Sequence, residues 1–598
     1  MKKVHSSRET HEEKIFLNRA RLSYFFIVIC FLLLVYRLYQ LQIIQHQNFI
    51  EVAEASRKTE QILPPHRGEI YFQDKEGNLI LVATNRLCYL LYAVPKEIEE
   101  PEKIAHFLVE TFKNYQTEIE VPSFEEIFKK LSKENDPYEP ILKEITNEEL
   151  VQTIKEATLK GIYFQEGECR YYPYDSLAAH VIGFVSSGDD GNIKGRYGLE
   201  AYYDSLLSGE EGVFEGFKDA FGRLIHFFSF KEKEVKNGVN LVVTIDKNIQ
   251  MAAEKALSKL IEGREAQGGN IIVMEAKTGK ILAMAQYPSF NLNEYKKVKD
   301  YSLFLNSAVQ ERYEPGSVIK TITMAAGLDA SKVTPETTYI DKGYYEIGGY
   351  KIVNYNNEVY GKVNMYKVLE RSINTGAIFV ANQLGVNLLR SYFKVFGFTE
   401  PTGIDLPYEV VGDLSNLEYP KYNPTYLATA SYGVGISVTP IRLVQAYAVL
   451  ANQGRSVAPY LLEKVIEENG SSFSMAPSET PQSIIKPETS AAIMKMLVSV
   501  IENGFGGNAK IKGYSLAGKT GTAFIADKNG GYTTDEIHTF IGIFPASNPR
   551  YVILVKMEKP KYGKGAASHT VTLAFKEVEQ FLINYYNISP DEIEVSQK

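Results

Sequence analysis

The sequence predicts an α+β protein with a single N-terminal transmembrane helix, an elongated β-rich module carrying inserted helices, and a C-terminal domain in which an antiparallel sheet is flanked by helices. Three observations carry that expectation. Residues 22–36 hold no charge, and apolar character resumes after Arg37 as far as Ile44. Strand-like segments cluster at both ends of residues 237–588, with helical periodicity between them. The 598 residues are too many for one core and, at about 100–200 residues per domain, divide into three or four units.

Residues 1–21 form a tail containing Lys2, Lys3, Arg8, Lys14, Arg19 and Arg21, followed by a span at 22–44. The uncharged run is shorter than the roughly 20 residues a bilayer requires, so Arg37 must snorkel while the stretch to Ile44 completes the length. No small-x-small cleavage site follows, and apolar residues surround the whole helix, which argues against a signal peptide and an amphipathic surface helix. The basic tail places the N-terminus in the cytoplasm and the bulk of the chain outside. A composition of 44% hydrophobic and 23% charged residues excludes wholesale disorder and a multi-span protein. The net charge of -8 offers no attraction to nucleic acid, and none is expected as a partner. Cys30 lies in the span; Cys88 and Cys169 would meet an oxidising compartment, where a disulfide and two free thiols both fit. No Cys/His cluster has metal-ligand spacing, so no metal or cofactor is expected, and His180 reads as a packing residue.

In the module at 45–236, Arg67-Gly68-Glu69-Ile70-Tyr71, the turn Lys75-Glu76-Gly77-Asn78 and the apolar run to Ala83 predict a hairpin. Near 95–156 the pattern changes to charged helical segments, a helical insertion. Strand-like sequence returns at 161–174 and continues to Val185, and Lys231 to Asn237-Gly238 marks a boundary. Beyond it, 241–245 reads as a strand, Asp246 as a helix N-cap, and Ile249, Ala253, Ala256, Leu257 and Leu260 as one helical face. Residues 271–274 and 281–285 form a hairpin, 539–544 and 551–557 another, and a helix from about 573 to 585 closes the domain before a polar, flexible tail at 589–598.

Three short motifs occur in order: Ser317-Val318-Ile319-Lys320, Ser372-Ile373-Asn374 and Lys519-Thr520-Gly521-Thr522. Each alone is weak, because Ser483-Ile484-Ile485-Lys486, Ser289-Phe290-Asn291 and Lys277-Thr278-Gly279 match the same patterns in contexts that read as structural. Ser317 differs. Glu314-Pro315-Gly316 breaks the chain, and an apolar helical run then puts Lys320 on the serine's own face one turn along. A serine needs an adjacent base to become a nucleophile, and a lysine serves only if neutral; partial burial and a second cation such as Lys519 would lower its pKa. Ser372 and Asn374 suit an ordered loop pointing a hydroxyl and an amide into a cleft. The small residues from Ala517 to Ala523 suit an edge strand to which a peptide adds, with Lys519, Thr520 and Thr522 meeting a carboxylate and Gly521 allowing close approach.

This order of motifs resembles penicillin-binding proteins and serine β-lactamases, with Ile373 where the S-D-N version has Asp. The resemblance is closest to class B penicillin-binding proteins over roughly residues 20–585, through Arg67-Gly68-Glu69-Ile70, Arg170-Tyr171-Tyr172-Pro173, Tyr197-Gly198-Leu199-Glu200 and Thr278-Gly279-Lys280-Ile281-Leu282-Ala283-Met284-Ala285. Within class B, Tyr432-Gly433-Val434-Gly435-Ile436-Ser437-Val438-Thr439-Pro440 looks like the division-specific subgroup. The resemblance implies a pedestal or dimerisation-type domain at 45–236 and a transpeptidase domain at 237–588 in a bacterial cytoplasmic-membrane protein that cross-links peptidoglycan stem peptides ending in D-Ala-D-Ala. Ser317 would be the nucleophile, Lys320 its base, Ser372 a proton relay, and Asn374 a holder of the substrate amide. Lys519 would bind the carboxylate, and the backbone N–H groups of Ser317 and Thr522 would form the oxyanion hole. β-Lactams would acylate Ser317, and a SEDS-type membrane glycan polymerase and other division proteins would be partners. The alternatives are a D,D-carboxypeptidase or β-lactamase-type hydrolase, for which no deacylating carboxylate stands out, a penicillin sensor, for which no cytoplasmic signalling domain is present, and a non-catalytic division scaffold. A bifunctional polymerase is disfavoured because 45–235 carries no acidic polymerase motif.

Overall fold

The computed structural model describes residues 9–48, 58–115, 121–134, 136–187, 193–218, 224–225, 231–419, 421–478, 481–527, 530–565 and 567–591. They fall into two compact units, one formed by 1–65 with 210–236 and the other by 66–209 with 237–598. In the first, a helix Glu9–Tyr39 runs into a π-helical turn Gln40–Ile44, and the stretch Ile15–Ile44 is long and apolar enough to cross a membrane. It begins earlier than the expected span because Ile15, Phe16 and Leu17 extend the apolar surface. Arg37 bonds forward to Gln40 Oε1 at 3.3 Å. The same unit holds a four-stranded sheet in which Gly212–Lys218 pairs with Lys58–Leu63, Lys231–Lys233 and Leu224–Ile225.

The second unit contains two larger sheets. One joins distant parts of the chain: Asn240–Asp246 lies between Leu462–Ile466, antiparallel, and Ile70–Gln73, parallel. The expected hairpin is present, but its second strand, Leu79–Ala93, runs on to pair with Glu139–Ile145 and Ile162–Tyr171. The strand Glu139–Ile145 was hidden by its charged neighbours. Helices Pro101–Asn114, Phe124–Leu131 and Glu148–Glu156 pack on these strands around Leu91, Leu108, Ile127 and Leu150. The strand expected to continue to Val185 stops at Tyr171. Pro173 ends it, Asp175 and Ala178 adopt left-handed backbone, and a short helix Ala179–Ile182 follows. Cys88 and Cys169 are joined by a disulfide between the paired strands. His180 is buried, edge-on to Phe290, with Nε2 2.9 Å from the Leu303 carbonyl, and burial pushes it down to about 4.

The other sheet has five antiparallel strands in the order Ile281–Tyr287, Gly268–Glu275, Tyr551–Glu558, Tyr532–Phe544, Ala517–Ala526. Asp246 caps the helix Lys247–Arg264 by accepting from the Asn248 and Ile249 N–H groups at 2.8 and 3.1 Å. That helix and the closing helix Val571–Tyr586 bury a shared apolar face around Leu257, Ile271, Val555 and Phe575. Beyond the closing helix, Asp591 accepts from the Ser515 N–H at 2.6 Å, so the tail is docked that far; 592–598 lie outside the described residues. Four short strands, Thr338–Asp341, Tyr344–Ile347, Tyr350–Val353 and Gly361–Asn364, form two small pairs that the sequence pattern did not reveal.

Three of the motifs that carry the family resemblance meet at one carboxylate. Glu200 is fully buried; Arg67 reaches it at 2.7 Å and Arg170 Nε at 2.7 Å, and Arg67 also contacts Asp204 at 2.7 Å. Burial alone would lower the Arg67 guanidinium, but the two carboxylates more than offset it and raise its pKa. Removing one member of a buried ion cluster strands the others. Glu200→Gln is therefore expected to cost about 3–5 kcal/mol, read as a lower denaturation midpoint of the detergent-purified protein.

Candidate active site

Ser317 lies in a 3-10 turn, Gly316–Val318, that feeds the helix Ile319–Asp329, the helix N-terminus its motif predicts. The turn is held from three sides. Tyr447, fully buried on the apolar helix Pro440–Ala451, donates to the Val318 carbonyl at 2.8 Å. The Gly316 N–H donates to the Gly433 carbonyl at 3.1 Å. Along the third side runs the strand Ala517–Ala526, which is the outer strand of its sheet, as expected of an edge. Gly316 has φ +60°, and a Cβ there would stand 2.7 Å from the Thr522 carbonyl oxygen; one on Gly433 would stand 2.2 Å from the Gly316 oxygen. Only glycine allows these backbone approaches.

The three motifs converge. Lys320 Nζ is 3.1 Å from Ser317 Oγ, 2.6 Å from the Ser372 carbonyl, 3.2 Å from Ser372 Oγ and 2.7 Å from Asn374 Oδ1. Lys519 Nζ lies 2.9 Å from the same Ser372 Oγ and 3.1 Å from the Thr520 carbonyl. Ser372 adopts φ 51°, which turns both its carbonyl and its hydroxyl towards Lys320, and the helix Asn374–Leu384 starts two residues on, so Asn374 stands in a first helical turn where an ordered loop was expected. Ile373 is fully buried, so its side chain takes no part in the polar cluster. Thr520 is buried and Thr522 half-buried on the edge strand.

Lys320 is 1% and Lys519 0% exposed, which decides their chemistry. Burial, and second the positive charge of Lys519, hold Lys320 well below the usual lysine value; burial brings Lys519 down to about 7. A neutral lysine has two N–H donors and one lone pair. The Ser372 carbonyl and Asn374 Oδ1 can only accept, so they take both donors. The lone pair is left for a hydroxyl proton, and Ser317 offers one at 3.1 Å.

The look-alike motifs do not join this cluster. Lys486 caps the helix Pro487–Asn503 and donates to the Asp329 carbonyl at 2.9 Å; Thr278 bonds Glu275 in a hairpin turn; Ser289 Oγ contacts the Ser176 carbonyl at 3.3 Å. Two features escaped sequence reasoning. Glu314, read only as part of a chain break, accepts from the Tyr532 hydroxyl at 3.0 Å, tying the serine turn to the hairpin that carries the edge strand. Asn374 Nδ2 donates to the Val353 carbonyl at 2.8 Å. Neither had a local signal, because each partner lies far away in sequence.

Comparison with known proteins identifies related chains. The model of the penicillin binding protein transpeptidase domain matches residues 269–578, and that of the penicillin-binding protein dimerisation domain matches 62–243. Stage V sporulation protein D of Bacillus subtilis is 33% identical over 537 residues, 89% of this chain and 80% of that protein. Peptidoglycan D,D-transpeptidase FtsI of Escherichia coli is 29% identical, covering 76% of this chain and 73% of its own. The crystal structure of penicillin binding protein 3 from Mycobacterium tuberculosis, complexed with aztreonam, shares the fold with TM-score 0.67 at 22% identity over 89% of this chain and 98% of that one.

Proposed function

The chain belongs to the penicillin-binding protein family, and on that basis we propose that it is a serine D,D-transpeptidase cross-linking peptidoglycan stem peptides through an acyl-enzyme on Ser317. The observation that carries this reading is the Lys320 amine, buried and 3.1 Å from Ser317 Oγ. Ser317 Oγ attacks the carbonyl carbon of the penultimate D-Ala while Lys320 takes the hydroxyl proton. The negative charge that develops on the carbonyl oxygen is held by the backbone N–H groups of Ser317 and Thr522, where one such donor is worth about 3 kcal/mol. Ser372, between the two lysines, relays the proton to the departing nitrogen; the C–N bond breaks, D-Ala leaves, and the ester remains. The amine of a second stem peptide then displaces Ser317, which recovers its proton. Asn374 Nδ2 keeps one N–H on the Val353 carbonyl and offers its other to the substrate amide, and Lys519, Thr520 and Thr522 hold the terminal carboxylate.

The domain division at residue 237, the N-terminus in the cytoplasm of a bacterium and the site outside its cytoplasmic membrane belong to the same reading. So does a SEDS-type glycan polymerase packed against residues 22–44. The stretch at 432–440 supports a role in the septum. Depletion in the source cells is expected to give filaments; rounded cells would sink the septal assignment.

Labelling with a fluorescent penicillin tests the chemistry. The detergent-purified protein should carry a stable adduct that Ser317→Ala loses. Rapid release would favour the hydrolase, and no adduct on folded protein would favour the scaffold. The acylation rate should also be bell-shaped in pH. It rises as Lys320 loses its proton, and it falls above about 7 as Lys519 loses the charge that meets the carboxylate. A rate flat from pH 5 to 9 would contradict both roles.

A further inference from the structure

The two small strand pairs at 338–364 surround one carboxylate. Asp341, 1% exposed, accepts at Oδ1 from the Gly343 N–H (2.9 Å), Asn354 Nδ2 (3.0 Å) and the Thr375 hydroxyl (2.7 Å), and at Oδ2 from the Tyr360 N–H (2.8 Å) and Asn354 Nδ2 (3.0 Å). Asn354 in turn accepts from the Thr375 N–H at 3.2 Å. All these donors are neutral. Burial raises Asp341, but the hydrogen bonds more than offset it, and the carboxyl stays below its ordinary value, charged at neutral pH.

Both residues gripped by this carboxylate are chain neighbours of the active site. Thr375 follows Asn374, and Asn354 follows Val353, whose carbonyl accepts from Asn374 Nδ2. The two ends of an amide are nearly the same size, so only their partners decide which way it points. With Nδ2 committed to Val353, Oδ1 must face Lys320 at 2.7 Å. Were the Val353 carbonyl to move away, the amide could turn and present N–H groups to Nζ. The lysine would then lose one of the two partners that can only accept, and its lone pair would no longer be left free for a hydroxyl proton.

We propose that Asp341 is a positioning residue for acylation: through Thr375, Asn354 and the Val353 carbonyl it sets which end of the Asn374 amide faces Lys320. This rests on the transpeptidase reading. Around Lys320 the other groups are Lys519 from the edge strand, Ser317, Ser372 and the Tyr432 ring at 5.9 Å. Of these only the Ser317 and Ser372 hydroxyl oxygens can accept the freed N–H, and an N–H turned to either no longer leaves the lone pair aimed at the Ser317 proton; the lost acceptor had favoured the ammonium form.

Stopped-flow acylation of the full-length protein in detergent by a fluorescent penicillin separates initial binding from the acylation rate at saturation. Asp341→Asn is expected to lower the saturating rate by about ten- to hundredfold and to leave initial binding within about twofold, while the acid limb of the rate moves to lower pH. Thr375→Val, which keeps the shape and removes one donor, should shift both in the same direction by less. A folded Asp341→Asn protein with the wild-type rate and acid limb would overturn the proposal. If that variant does not fold, a wild-type rate and limb in Thr375→Val would overturn it. An unlabelled wild type, or label retained by Ser317→Ala, would instead remove the reading beneath it.

Discussion

Two lysine amines share one serine hydroxyl in a space closed to water, and the surrounding domain is arranged to hold them there. Lys320 approaches Ser372 Oγ at 3.2 Å and Lys519 at 2.9 Å, with both side chains almost fully buried. Like charges in such a place cannot both persist, so at least one amine is neutral. Both titrate lower in the folded than in the unfolded chain. Between the two values the folded state binds fewer protons, so its stability rises with pH across that interval. A site that costs stability in this way needs rigid support.

The support comes from elements distant in sequence. The fully buried helix Pro440–Ala451 fixes the serine turn through Tyr447, the five-stranded sheet carries Lys519 on its edge, and the strand pairs at 338–364 grip the start of the Asn374 helix. Left-handed backbone at Gly316 and Ser372 marks where those elements close on one another. A second buried ionic centre, Glu200 between Arg67 and Arg170, plays the corresponding part in 66–209. There the motifs of the family resemblance serve cohesion, not chemistry.

Most regular elements were legible. Asp246 as a cap, the face through Ile249 and Leu257, the hairpins at 268–287 and 532–558 and the edge strand at Lys519 follow from local periodicity and turn chemistry, which act over a few residues. What was missed lacked such a signal. Glu139–Ile145 is a strand with Glu139, Lys143 and Glu144 among its seven residues, Pro173 cut a run that otherwise read as extended, and the strands at 338–364 are four residues each.

The sequence by itself determined which residue types stand at which spacing: Ser317 and Lys320 one helical turn apart, Ser372 two residues from Asn374, and Lys519 ahead of Thr520 and Gly521 in a stretch small enough for an edge. It also determined the apolar N-terminal helix, since length and composition suffice for that. Sequence context already set the three motifs apart from their copies at Ser289, Lys277 and Ser483, but only the tertiary structure brought them together around one serine hydroxyl. Only it set Asp341 behind Asn374, Glu314 against Tyr532, and Cys88 against Cys169. Those outcomes depend on contacts between residues tens to hundreds apart, and on burial, which favours the neutral amine of a lysine over its cation; neither quantity is a property of any short stretch of chain.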